Sequence, residues 1–195
     1  MVDNFKDTQG LLLQGHIKIH DPTSGEVIIN KRNAIHYENI SVALAESLSN
    51  AGQSWIHEMS FGNGGTSIDG VGAVTYKATN TSSASGALYN QTHSQTVDDA
   101  ITSSALNSVT ASHTTPNTYS DVITTCTLDY NIPAGQDLTD TGTDMNGAYV
   151  FDELALYTAN NDLLTHVVFH PVQKSANRKI QVVYTLRIRS SFADL

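Results

Sequence analysis

The 195-residue chain has one cysteine, one tryptophan and four prolines, and it contains no long unbroken apolar run. With Cys126 alone, no intrachain disulfide can staple the fold, so a hydrophobic core must carry the stability. The missing apolar run argues against a hydrophobic helix crossing a bilayer, and no membrane partner is expected. The opening residues, MVDNFKDTQG, lack the basic and then apolar layout of a secretory leader, which points to folding in a reducing cytoplasm. Basic residues are scarce as well. Ten lysines and arginines stand against 19 acidic residues, giving a formal net charge of -9, and phosphate contacts need clustered cations, so no nucleic-acid partner is expected.

The scarcity is uneven. No lysine or arginine occurs between Lys77 and Lys174, whereas ten Asp and Glu fall between Asp98 and Asp162; five of the ten basic residues then crowd into 174–189. One reading is a solvated acidic surface beside a basic strand. The sharper one is head-to-tail assembly, in which the basic end of one copy meets the acidic middle of another. On that reading Lys174, Arg178, Lys179, Arg187 and Arg189 are interface residues.

What is present is mostly strand-like. LLLQGHIKIH at 11–20, the turn DPTSG and EVIIN form a hairpin. NISVALAESLSN at 39–50 is the one helical stretch, with Ile40, Leu44 and Leu48 on a stripe, Asn39 as a cap and Gly52 as a stop. SWIHEMSF and VGAVTYK read as strands. Residues 78–118 are rich in Ser, Thr, Asn and Ala, and we read them as long polar loops around weak strands in 87–97. Val122, Thr124, Cys126 and Leu128 then alternate with Ile123, Thr125 and Thr127, the period of a half-buried strand. GAYVFDELALYT and LLTHVVFH form a second hairpin, and in the last strand Ile180, Val182, Tyr184, Leu186 and Ile188 face a core while Arg187 and Arg189 face outward. These features predict one domain, 1–195, of the all-β class: a mostly antiparallel β-sandwich or barrel-like fold with a short α-helix around 39–50.

Five glycines between Gly62 and Gly72 follow a strand, yet the phosphate-binding readings fail. Gly65 is followed by Thr66 and Ser67 with no lysine, and Gly62 and Gly64 are followed by Ser67 and a β-prone segment instead of a helix. Asn63 and Asp69 are too few oxygen ligands for calcium. A turn is the better reading, and Gly62, Asn63, Gly64 and Gly65 can also touch a neighbouring copy.

His16 and His20, and His166 and His170, are four apart, but in strands that spacing separates them by roughly 13 Å, too far for one ion. His57-Glu58 lacks the second histidine of a zinc protease motif. Asp98-Asp99 and Asp152-Glu153 are neighbours whose side chains point apart in an extended strand; one of Asp152 and Glu153 faces inward and needs a partner, either Arg187 or a backbone N–H. No Gly-x-Ser-x-Gly elbow occurs, and Cys126 lies on the apolar side of its strand. No catalytic residue, metal site or cofactor is expected. The triplets at Asn39, Asn80 and Asn90 are chance matches to a glycosylation signal.

The order of features has a precedent. A strand ending in FGNGGT (61–66), a polar stretch reaching ALYN (87–90) and TVDD (96–99), then FDELALYTANNDLLTHVVF (151–169) resembles structural proteins of tailed bacteriophages, especially fibre-attachment domains of the tail-collar type. The resemblance implies a non-catalytic building block of the virion, assembled in the host cytoplasm, in the tail, baseplate, neck or fibre-attachment apparatus. Its implied partners are copies of itself and other virion proteins. A capsid decoration protein is the alternative, and a carbohydrate-binding or host-recognition module using Trp55 or the tyrosines, with a surface glycan as partner, is a further one.

Overall fold

The structure, a computed structural model, describes residues 9–82, 86–98, 106–136 and 149–192. Asp99, and the acidic residues Asp137, Asp140 and Asp144, lie outside them. In chain order the elements are β1 (Gln9–His20), β2 (Val27–Ile35), α1 (Tyr37–Ser49), β3 (Ile56–Gly62), β4 (Thr66–Ile68), β5 (Val74–Tyr76), β6 (Gln91–Thr96), β7 (Ser108–His113), β8 (Tyr119–Leu128), β9 (Val150–Thr158), β10 (Leu163–Gln173) and β11 (Ile180–Phe192). The all-β class with one short helix is correct.

Nine strands form one curled antiparallel sheet, a half-barrel, in the order β6-β3-β9-β10-β2-β1-β11-β8-β7. β4 and β5 form a separate hairpin. The curl has a local cause in β2. Its first part pairs with β1 through Asn33↔Gly15 and its neighbours, whereas only its end pairs with β10, through Ile35↔Thr165 and Ala34↔His166. Because so narrow a ladder joins the two halves, their inner faces can turn toward each other. Ile17, Met59, Phe61, Leu154, Val182 and Tyr184, all essentially inaccessible, meet there from both halves. Such burial contributes about 25 cal/mol per Å² of apolar surface removed from water.

The helix begins earlier than its apolar pattern suggests. His36 is its N-cap and Nδ1 accepts from the Asn39 amide at 3.3 Å; Asn39 instead donates its side-chain NH₂ to the Leu163 carbonyl at 2.8 Å. Asn50, at φ 52°, closes the other end in left-handed geometry. Ile40 is buried, but Leu48 is 89% exposed, so the expected stripe of Ile40, Leu44 and Leu48 is not the packed face. Asn39 ties the N-terminal half of the helix to β10, and the buried positions are Asn39, Ile40 and Ala43.

Within 78–118 the weak strand is β6, and a second strand, β7, occupies part of what the composition suggested was loop. β11 follows its alternation: Ile180, Val182, Tyr184 and Leu186 are buried, and Arg189 is exposed.

Candidate functional site

A densely bonded polar site lies on β9. Both Asp152 and Glu153 are buried, at 3% and 0% exposure. Alternation predicts opposite faces for them, but the β9–β10 register shifts between Val168 and Val172, and both carboxylates reach the 62–66 turn. Asp152 accepts from the amides of Gly65 and Thr66, each at 2.8 Å, and from the Thr66 hydroxyl. Glu153 Oε1 accepts from the Gly64 amide at 3.1 Å and the Asn90 amide at 2.8 Å; Oε2 accepts from the Tyr89 amide at 3.0 Å and faces His166 Nε2 at 3.1 Å. The partners are therefore backbone N–H groups and a histidine, and Arg187 is not among them.

The histidine's tautomer follows from its neighbours. A backbone amide can only donate, and Asn80 N–H points at His166 Nδ1 at 2.8 Å, so the ring proton sits on Nε2 and is donated to Glu153. Burial alone would raise the Glu153 pKa. The hydrogen bonds from His166 and from the Asn90, Tyr89 and Gly64 amides outweigh it and hold the carboxyl below its ordinary value.

These contacts explain the glycines differently from a turn that needs positive φ. None of Gly62, Gly64 and Gly65 has positive φ. A Cβ on Gly62 would lie 2.5 Å from the Asn90 carbonyl and 2.6 Å from Glu153 Oε1, and one on Gly64 would lie 2.7 Å from the Asn90 amide nitrogen. Close approach of backbone to backbone is the requirement. Gly62→Ala is expected to lower stability by about 1–3 kcal/mol, as overpacking does, with a lowered urea midpoint as the readout. An unchanged midpoint would show that the 88–90 segment can move away freely.

Placement also revises the candidate interface. Gly62 and Gly65 are buried, and Asn63 and Gly64 are half-buried against Asn90, so this turn packs on its own chain. Lys174 is 1% exposed, its ammonium donating to Gln136 Oε1 at 3.1 Å and to the Ser175 carbonyl at 2.8 Å, which removes it from any surface. Arg178 donates to the Gln173 carbonyl at 3.3 Å. Arg187 makes a two-pronged pair with Asp121, both bonds 2.8 Å, and Lys179 pairs with Asp129 at 2.8 Å. Each carboxyl is held below its usual range, first by the hydrogen bond from its cation. The basic end and the acidic middle thus meet within one molecule, because β11 pairs with β8 in register Arg187↔Asp121. Arg189 stays exposed, 5.7 Å from the Tyr119 ring, whose face Arg187 covers at 3.9 Å.

The same ladders place residues that sequence reasoning did not group. His16 sits opposite both Arg32 and Thr185, Gln14 opposite Arg187, and Lys18 opposite Val183. Arg32 and Lys18 therefore join Arg187 and Arg189 on the outer face of β2-β1-β11-β8. The signal was available, since alternation in β1 turns Ile17 and Ile19 inward and leaves His16 and Lys18 outside.

His57 Nδ1 and Trp55 Nε1 both bond Asp98, each at 2.7 Å, so the half-exposed indole has its N–H engaged. His170 is exposed and 3.3 Å from the Tyr76 hydroxyl. Among the described residues, no group of three or more His, Cys, Asp and Glu is placed to hold a metal ion, and no helix is long and apolar enough to cross a membrane. Cys126 is fully buried, and burial pushes its thiol far above the ordinary value. Alkylation should therefore be negligible in the folded protein at about pH 8 and rapid in urea, measured by mass spectrometry; fast native labelling would contradict this packing.

Comparison with protein-family models, with curated proteins and with solved structures gave no match to this chain.

Proposed function

We propose that this chain is a non-catalytic structural component of a tailed-phage particle, in the tail, baseplate, neck or fibre-attachment apparatus, acting through contacts with copies of itself and with other virion proteins. The observation that carries the assembly role is the open end of the sheet. Among the described residues β7 ends one side of the sheet, as β6 ends the other, and pairs only with β8; its sequence SVTASH has no lysine, no proline and no carboxylate, and five of its six residues are exposed. An edge strand presents a row of free N–H and C=O groups, and proteins that remain monomeric blunt such edges with charge, proline or cover. Pairing with a strand of another chain satisfies that row.

The phage setting rests on the resemblance of the sequence. FGNGGT, ALYN and FDELAL, which are far apart in sequence, meet at Glu153, which accepts from Gly64, Tyr89 and Asn90. Segments that share one buried carboxylate behave as one unit. Two measurements test the proposal: sedimentation across a wide concentration range, and mass spectrometry of purified particles followed by labelling of the chain in particle images. Self-association together with a tail location supports the proposal. A chain that stays monomeric and is absent from particles overturns it, and a location on the capsid surface replaces it with the decoration reading.

A further inference from the structure

We infer that the outer face of β2-β1-β11-β8 is a binding site for a saccharide bearing a carboxylate. This goes beyond the assembly role and stands independently of it. The strand registers place two rows of side chains side by side: Arg32, His16, Thr185 and Ile123 in one, Gln14, Arg187 and Asp121 in the next. Between them lies an open basin of ≈ 380 Å³, lined by these residues and the backbone of Gly15. That volume falls within the range of small-ligand sites, about 300–1,000 Å³.

The lining chemistry selects the ligand. Arg32 is exposed and has no hydrogen-bond or ion-pair partner among the described residues, so its planar fork is free for a carboxylate. Arg187 offers less charge but more geometry. Asp121 takes its Nε and Nη2, and Tyr119 covers its face at 3.9 Å, so the side chain is fixed while other N–H donors remain. Asp121, in turn, keeps lone pairs that the two bonds from Arg187 do not use. A fixed Arg–Asp pair therefore presents donors and acceptors side by side, which is what a pair of sugar hydroxyls needs, and Gln14 and Thr185 add further groups of both kinds. A densely charged phosphate chain does not fit this lining, because Asp121 would face it and the protein as a whole carries a formal charge of -9. One anionic group among neutral hydroxyls does fit.

The test is calorimetric titration of the full chain with four probes: a short uronic-acid oligosaccharide, a neutral oligosaccharide of the same length, inorganic sulfate and a single-stranded oligonucleotide. Saturable binding of the uronic-acid probe is expected, weaker by about tenfold or more for the neutral one, the factor a charged hydrogen-bonding group commands. Arg32→Ala should lower the uronic-acid affinity by about tenfold or more, with Arg32→Lys between the two, and leave the melting temperature unchanged. No binding, or binding indifferent to Arg32→Ala, overturns the site. Sulfate bound as tightly as the saccharide reduces it to an anion contact, and preference for the oligonucleotide reassigns it; either result overturns the saccharide assignment.

Discussion

Glu153→Ala is expected to lower the unfolding free energy by about 3–5 kcal/mol, the cost of leaving several buried donors without an acceptor. The reason is the number of donors left behind. Gly64, Tyr89 and Asn90 each aim a backbone N–H at this carboxylate and His166 aims its Nε2, in a place where Glu153 is 0% exposed. Deleting the acceptor leaves these groups buried without partners. Glu153→Gln keeps one acceptor oxygen but turns an NH₂ toward the other donors, and a loss of about 1–3 kcal/mol is expected. A urea midpoint close to wild type for both variants would mean that the carboxylate organises nothing.

The same residue sets a pH dependence whose sign follows from the direction of its shift. The folded-state value of Glu153 lies below the ordinary one, so its stabilisation is complete above the ordinary carboxylate value and is lost as pH falls through the folded value. Between about pH 7 and about pH 3, unfolding free energy should fall more steeply for wild type than for Glu153→Gln. Asp121 and Asp129, also shifted downward, leave a residual slope in both proteins. Parallel acid limbs would refute the assignment of that stabilisation to Glu153.

Features set by local pattern were legible in the sequence, and features set by strand pairing were not. Alternation in 180–188 gave β11 its inward and outward faces because period two is imposed by the strand backbone itself. β7 escaped because its only large apolar residue is Val109; Ser, Thr, Ala and His around it carry no alternation to read. The helix start was misplaced because His36, a cap through its ring nitrogen, is not among the residues that usually signal one. The pairing of charges was illegible for a different reason. A basic cluster and an acidic one, distant along the chain, look like complementary ends of an assembling molecule, yet β8 and β11 lie side by side, so that Arg187 pairs with Asp121 and Lys179 with Asp129 inside one molecule. The staple at Asp152 and Glu153 was half legible: burial of a carboxylate called for a partner, but only the register shift between β9 and β10 explains how both acids reach the same turn.

Thr110→Lys is expected to weaken self-association by about tenfold or more while changing monomer stability by less than about 0.5 kcal/mol. Thr110 lies opposite Ile123 in the β7–β8 ladder and is exposed on the strand that ends the sheet. A lysine there gives up the long, exposed bond from the Thr110 hydroxyl to the Ile123 carbonyl at 3.4 Å, keeps the backbone pairing with β8, and places a solvated charge where a second strand would dock, the device by which natural edges resist pairing. The measurement is sedimentation of wild type and variant over the same concentrations, at low and high salt. Salt separates this mechanism from the basic surface that the sequence suggested. Backbone pairing at the edge should respond to Thr110→Lys at every ionic strength, whereas reversal of Arg178, Lys179 or Arg189 to glutamate should matter most at low salt and fade as screening grows. Loss of assembly only in the reversal variants, and only at low salt, would move the contact from the sheet edge to the surface around Arg178, Lys179 and Arg189. Assembly indifferent to both sets would leave neither surface as the contact, because each change alters the one property on which its surface depends.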